Sequence, residues 1–354
     1  MERRIDHCAI TPYGRGAGSS RVRVFQWLDR AGTDFTVGSY LSFPDAAPSR
    51  LARHPVSVAR AELRLRDIAS ARPRRLLLHR EASPLSRGWW EQRLLTSAEF
   101  SVYDFDDALQ WDVGSGGLLR RLAPKAEKAR TAVLHADRVI AGNAVLADWA
   151  SRHHRDVVVI PSCVAPEDYV PKTSYALRDP PRLGWIGSPH NESALLLIAR
   201  SLTEVHRRTG ARLTLVGRAT PSLGRIESFI DRVAWSPDVQ RTALAEMDIG
   251  LMPLPRTSYN LGKCGYKLLQ YAAAAVPAVA TPLGVNDELL TLFGLPAARG
   301  PDEWTAAILG LLDAPAATRE LLGRGARELA VRRYSYDAWL PRWAAALELG
   351  AVAS

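Results

Sequence analysis

Two of this chain's five lysines share one turn, Gly262-Lys263-Cys264-Gly265-Tyr266-Lys267-Leu268-Leu269-Gln270-Tyr271. The turn opens a short helix that leads into Val276-Pro277-Ala278-Val279-Ala280, a buried strand started by proline. Backbone N–H groups at a helix start, with an ammonium alongside, attract an anion. A compact lysine head suits phosphate, whereas a carboxylate would favour the planar fork of arginine. The plainer alternative is that Lys267 solvates the outer face of a core helix, and Lys125 and Lys128 show that lysines can lie close together for no evident reason.

Two more junctions have the same strand, glycine turn and helix order. Gly14-Arg15-Gly16-Ala17-Gly18-Ser19-Ser20-Arg21 precedes a helix from about Val22, and Ile186-Gly187-Ser188-Pro189-His190-Asn191 precedes one that Asn191 is expected to cap. Glycine lets a backbone approach a ligand closely, and in open α/β sheets ligands lie beyond the carboxyl ends of strands. The first spacing is Gly-x-Gly-x-Gly, not the dinucleotide pattern. No acid ends the next strand near Tyr40 to hold a ribose. A nicotinamide dehydrogenase is therefore disfavoured.

The acidic cluster Tyr103-Asp104-Phe105-Asp106-Asp107 follows an apolar run. It reads either as a metal–diphosphate pair or as an N-cap with acids in the first helical turn. His79 ends another apolar run, where a hydrogen-bonded structural role competes with acid–base catalysis. His153 and His154 are adjacent and point apart on a helix, so no zinc site is expected, and no Gly-x-Ser-x-Gly anchors a hydrolase triad.

These residues need a scaffold, and eleven short apolar runs supply it: Ile5–Ile10, Phe35–Leu41, Arg75–His79, Phe100–Phe105, Arg138–Ala141, Val157–Ile160, Arg182–Ile186, Arg212–Val216, Arg232–Trp235, Ile249–Met252 and Ala278–Ala280. Continuous apolar runs alternating with helical periodicity predict parallel strands buried on both faces. Leu195, Ile198, Leu202 and Val205 form one helical stripe, and a helix near Pro315 is expected to end near Arg333. A proline-rich break over Pro161–Arg182 divides the chain. With 354 residues and 47% hydrophobic content, two domains are predicted, 1–165 and 166–335, followed by a terminal helix over 336–354.

A formal charge of +9 favours anionic partners, but the arginines are interleaved with acids along the chain, which argues against nucleic acid. Cys8, Cys163 and Cys264 are odd in number and far apart, as in a reduced compartment. No apolar run is long enough to span a membrane, and Met1-Glu2-Arg3-Arg4-Ile5-Asp6 shows no secretory h-region. The expectation is cytoplasmic, with peripheral contact to an anionic membrane face left open.

The run Asp248-Ile249-Gly250-Leu251-Met252-Pro253-Leu254-Pro255, the Gly262–Tyr271 turn and Pro282-Leu283-Gly284-Val285-Asn286 together resemble the donor-binding half of family-four glycosyltransferases. Gly18-Ser19-Ser20-Arg21, Tyr103–Asp107 and Ala141-Gly142-Asn143 resemble the same group's first half, so the likeness covers nearly the whole chain. The resemblance implies the α/β GT-B fold, two Rossmann-like doubly wound domains with an interdomain cleft, and a last helix crossing back to the first. The first domain would bind the acceptor and the second the nucleotide sugar.

It further implies retaining transfer of a sugar from a nucleotide diphosphate sugar to a hydroxyl acceptor, with no metal and no cofactor beyond the donor substrate. The acceptor could be an envelope glycan, a lipid-linked sugar or a small natural product. Lys263 and Lys267 would neutralise the departing diphosphate, aided by N–H groups near Gly187, Ser188, Gly265, Tyr266 and Leu268. Arg21, with Gly18 and Ser19, would contact it from the first domain. Trp235 and Ser236 would frame the base, Gln270 would stand at the ribose, and His79 and Asp104 would face the acceptor.

Departures are specific. Gly262 and Gln270 occupy the places of two glutamates common in relatives, and Arg256 and Leu261 stand where relatives often carry an acid and an arginine. A sugar-nucleotide epimerase on the same fold and a non-catalytic nucleotide-sugar binding protein are the alternatives.

Overall fold

The computed structural model describes residues 5–42, 48–112, 121–218 and 222–350. The chain separates into two compact units, one comprising 1–162, 262–264 and 339–354, the other 163–261 and 265–338. Each is built on one all-parallel sheet.

In the first unit the sheet runs β2-β1-β3-β4-β5-β6. Its strands are β1 (His7–Tyr13), β2 (Thr36–Leu41), β3 (Arg75–His79), β4 (Phe100–Phe105), β5 (Arg138–Ala141) and β6 (Val157–Val159). The sequence predicts this strand over Ile5–Ile10, two residues short of Pro12, whereas β1 runs His7–Tyr13. Beyond Ile10, however, the strand pairs with β2 alone, reaching Tyr13 opposite Leu41. A proline is tolerated there as on an edge. The order reverses at β1 and β3, which lie side by side and send their connections opposite ways. That reversal opens the crevice at their carboxyl ends. The last helix, Tyr336–Ala346, packs into this unit, with Trp343 stacked on Trp27 at 5.4 Å and both rings fully buried. Such a pair contributes about 0.5–1.5 kcal/mol beyond its area.

The second unit's sheet runs β11-β10-β7-β8-β9, from β7 (Arg182–Ile186), β8 (Arg212–Gly217), β9 (Ile230–Ala234), β10 (Ile249–Met252) and β11 (Ala278–Ala280). Alternate residues feed two cores. Leu183, Trp185, Leu213 and Leu215 face one helical layer; Ile186, Val216, Leu268 and Tyr271 fill the other. Gly250 is needed because a Cβ there would come within 2.6 Å of the Tyr271 ring.

β9 starts two residues before the predicted run and takes in Ile230 and Asp231, the charged pair Asp231-Arg232 giving no apolar signal there. They are half-buried and neutralised on the edge strand, Asp231 by Arg182 and Arg212, Arg232 by Glu192 and Glu227. Asn191 does not cap a helix. Pro189 takes the first helical position, so Ser188 is the boundary residue and Asn191 lies inside the turn, donating to Ser188 Oγ at 3.1 Å. The stripe of Leu195, Ile198, Leu202 and Val205 is buried as its spacing predicts. Pro315 occupies the cap position of helix Ala316–Tyr334. Among the described residues no helix is long and apolar enough to cross a membrane.

Candidate active site

In the first unit, β1 hands over to a helix beginning at Gly18 whose next turn, Arg21–Phe25, is a wide π turn. A π turn changes the angular spacing of the side chains on it, and such turns are frequent at functional sites. Ser19 and Arg23 from this segment meet the ends of β3 and β4, where His79 stands in register with Asp104. Ser19 Oγ lies 2.7 Å from His79 Nε2, and His79 Nδ1 lies 2.8 Å from Asp104 Oδ1. An ionised carboxylate only accepts, so Nδ1 carries the proton and Nε2 faces the serine hydroxyl. Arg23 closes the base of the array. Its Nε and a terminal nitrogen donate to both Asp104 oxygens at 3.1 and 2.5 Å, and another donates to Ile160 O at 2.8 Å.

Arg23 and His79 are fully buried, and Asp104 is 1% exposed. Burial alone would raise the Asp104 carboxyl, but Arg23 and His79 hold it below the ordinary carboxylate range. Asp106 is also lowered against burial, chiefly by Arg80 and then by His79 and Arg23.

Above this floor the residues become half-open. Arg80 donates to Asp106 Oδ1 at 2.7 Å and to Asp107 Oδ2 at 2.5 Å, while Ser19 Oγ is 3.2 Å from Asp106. Lys263 Nζ lies 3.3 Å from Asp107 Oδ1. The three residues 262–264 are held in this unit by Asn143, whose Nδ2 donates to Gly262 O at 2.9 Å and whose Oδ1 caps helix Ala144–Ser151. Cys264 Sγ donates to Asp106 O at 3.2 Å.

Gly262 is glycine for a steric reason. A Cβ would lie 2.6 Å from Ala108 Cβ and 2.9 Å from Leu146 Cδ2, so no glutamate fits in its place.

The acidic cluster does not cap the turn that follows it. Its carboxylates are met by Arg23, Arg80 and Lys263, and the following turn, Leu109–Trp111, begins at Ala108 without a side-chain cap. Among the described residues no group of three or more His, Cys, Asp or Glu is placed to hold a metal ion.

In the second unit the order reverses between β7 and β10. Gly187 and Ser188 follow β7, and Lys267 Nζ sits over the Trp185 ring at 5.0 Å. A Cβ on Gly187 would strike Trp185 at 2.5 Å and Lys267 Cε at 3.0 Å, so glycine lets the lysine lie flat on the indole beside the turn. Helix Tyr266–Ala273 starts at Gly265, whose φ of 64° belongs to glycine. Leu268 is fully buried, and its N–H already donates to Gly265 O at 2.9 Å, which leaves it to the core.

Trp235 and Gln270 belong to one network. Trp235 Nε1 donates to Gln240 Oε1, while Gln240 and Gln270 both donate to the Tyr169 hydroxyl, at 3.1 and 3.0 Å. Ser236 Oγ caps helix Pro237–Ala243 by accepting from Val239 N at 3.1 Å. Gln270 is 5% exposed, tied into the core beside Tyr271.

Among the predicted residues, Ser19, His79, Asp104 and Lys263 meet in the first unit, where Arg21 is half-buried on the π turn and Gly18 is exposed. Gly187 and Lys267 meet in the second. The sequence does not mark Arg23, Arg80, Asn143 or Tyr169 as site residues. Only Asn143 had a signal, in the Ala141-Gly142-Asn143 string.

One consequence concerns the thiols. Cys8, Cys163 and Cys264 are all buried, and burial pushes Cys8 and Cys264 up to about 12, Cys264 with help from Asp106. The native protein should therefore give no fast reaction with a thiol reagent at pH 8 and three equivalents in urea. A fast equivalent from native protein would contradict this burial.

Two parallel-sheet, Rossmann-like domains define the GT-B class, and solved structures share that fold. HepE from Anabaena, in complex with UDP and glucose, aligns with a TM-score of 0.69 at 14% identity over 97% of this chain and 99% of its own. WaaG, a glycosyltransferase involved in lipopolysaccharide biosynthesis, aligns at 0.65 and 15% identity over 98% and 100%. S. aureus TarM, in complex with Fondaparinux, alpha-GlcNAc-glycerol and UDP, aligns at 0.56 and 13% identity over 77% of this chain, which spans 55% of that longer protein. No curated protein sequence matches. Residues 180–314 match the family described as Glycosyl transferases group 1.

Proposed function

We propose that the protein is a retaining glycosyltransferase that moves a sugar from a nucleotide diphosphate sugar to a hydroxyl acceptor. The observation that carries this reading is the Gly187–Ser188 turn with Lys267 laid across Trp185, within the segment of the glycosyl transferases group 1 family. That pairing offers a turn with little side-chain bulk and a fixed cation to a diphosphate.

Lys267 and Lys263 would meet the charge that develops on the leaving diphosphate, with N–H groups at Gly265–Lys267. Preorganised donors aimed at developing charge are the largest single source of rate in such chemistry. Arg21 would add a second contact. Trp235, steadied by Gln240, would line the base, and Gln270 would act through Tyr169 on the ribose side. The buried Asp104–His79 pair would orient the imidazole toward a hydroxyl near Ser19 and Asp106, the acceptor side. A preorganised acid–base pair is what a transferase needs and a mere nucleotide-sugar binder does not, which favours catalysis. No metal or further cofactor enters this scheme. A cytoplasmic location with peripheral contact to an anionic membrane is compatible with the formal charge of +9.

The test is thermal unfolding against UDP, GDP, dTDP, ADP and NAD. A nucleoside diphosphate at about 100 times its Kd should add about 2.7 kcal/mol. One base should stand out, and the shift should fall in Lys267→Ala. A response to NAD alone would sink the transferase reading.

A further inference from the structure

A cavity of about 180 Å³ opens at the carboxyl ends of β10 and β11, lined by Pro253, Pro255, Arg256, Thr281, Arg299 and Trp304 among others. None of these residues has a place in the donor turns described above. Carboxyl ends beside a reversal of strand order are where α/β sheets hold ligands. Cavities for drug-sized ligands run to roughly 300–1,000 Å³, so this one suits a single small group and not a whole nucleotide.

Its lining is chemically lopsided. Arg182, Arg212 and Arg232 each close on a carboxylate, and Arg319 on carbonyl oxygens. Arg256 and Arg299 both line the cavity, and among the described residues neither guanidinium meets an acceptor. Of the nearby acids, Glu303 accepts from the backbone Arg299 N at 3.0 Å and Asp302 lies exposed, 3.9 Å from Arg200. Thr281 is 4% exposed; its Oγ1 accepts from Leu254 N at 3.1 Å, and among the described residues its own hydroxyl hydrogen has no acceptor. A buried donor left unmet is costly, and two free guanidinium forks beside it match an oxyanion. The prolines and the Trp304 indole, 2% exposed, supply apolar wall.

We propose that this pocket takes the oxyanion of an acidic sugar, a carboxylate or phosphate carried on a monosaccharide-sized body, as part of the transferase's substrate. This rests on the glycosyltransferase reading for its place in the reaction but not for the binding itself. The acidic sugar could come from the donor or from the acceptor.

Thermal unfolding and titration of the full chain with glucuronate, glucose 1-phosphate and glucose would test it, on the native protein and on R256Q/R299Q. Both arginines are exposed, so the variant should fold normally. An acidic sugar should stabilise the native protein, glucose should not, and the double variant should bind the acidic sugar at least about tenfold more weakly. Equal response to glucose, or an undiminished response in the variant, would overturn the pocket.

A nucleoside diphosphate should still stabilise R256Q/R299Q. If it stabilises the native protein while no acidic sugar does, the pocket fails and the transferase reading stands. If only the acidic sugar binds, the reverse holds. A donor source predicts that nucleoside diphosphate glucuronate binds more tightly than the glucose form and competes with free glucuronate. An acceptor source predicts equal donors and glucuronate binding on top of them.

Discussion

Replacing Arg23 by Met should destabilise the protein by about 3–5 kcal/mol, the usual result of stranding one member of a buried ion pair. Arg23 and Asp104 are 0% and 1% exposed, and the guanidinium also satisfies Ile160 O, so water cannot take its place without opening the floor of the site. The double change Arg23→Met with Asp104→Leu removes both charges and should recover much of the loss, though Ile160 O and His79 lose a partner. Urea midpoints of the three proteins measure this. A single variant within about 1 kcal/mol of the native protein would mean that the pair is not what holds the turn.

The pH dependence has a definite sign. Asp104 is held below its ordinary value in the folded protein, so its contribution is present above the ordinary carboxylate range and is lost as pH falls through the lowered value. In Arg23→Met the largest lowering cause is gone and only His79 still opposes burial, so protonation relieves the stranded charge. The deficit of the variant should therefore shrink between pH 7 and pH 5, whereas loss of packing alone would leave it unchanged.

What the sequence made legible follows from locality. Every predicted apolar run lies on a strand, because a parallel strand covered on both faces must be apolar throughout. Two of the misplaced ends, Tyr13 and Ile230, depend on neighbours: a proline that costs little where β1 pairs on one side, and an Asp–Arg pair neutralised by partners far along the chain. His79 and Asp104 were readable as strand-end polar residues, but their union through Arg23 was not. A π turn leaves no spacing signature in an amphipathic segment, and a buried arginine in an arginine-rich chain looks like any other. The absence of glutamate at Gly262 was readable as a departure; its cause, the side chains of Ala108 and Leu146, was not. Arg256 and Arg299 lie far apart in sequence and meet only through the ends of β10 and β11.

Lys263→Ala should slow turnover of the nucleotide sugar by roughly 10- to 150-fold, the worth of one charge-assisted contact of about 1.5–3 kcal/mol. Lys263 Nζ stands 3.3 Å from Asp107, which keeps Arg80 as a second partner, so the variant leaves no buried charge alone and should fold as well as the native protein. A loss of rate at unchanged stability thus reports on the reaction and not on the scaffold. The same pairing sets up a control. Asp107→Asn frees the ammonium from its carboxylate, so a nucleoside diphosphate should bind at least as tightly as in the native protein, while Lys263→Ala should weaken it. Steady-state turnover and titration with the preferred nucleoside diphosphate read both. If Lys263→Ala turns over within twofold of the native protein, the Lys263–Asp107 pair is a strut of the first unit, and the charge on the diphosphate falls to Lys267 alone.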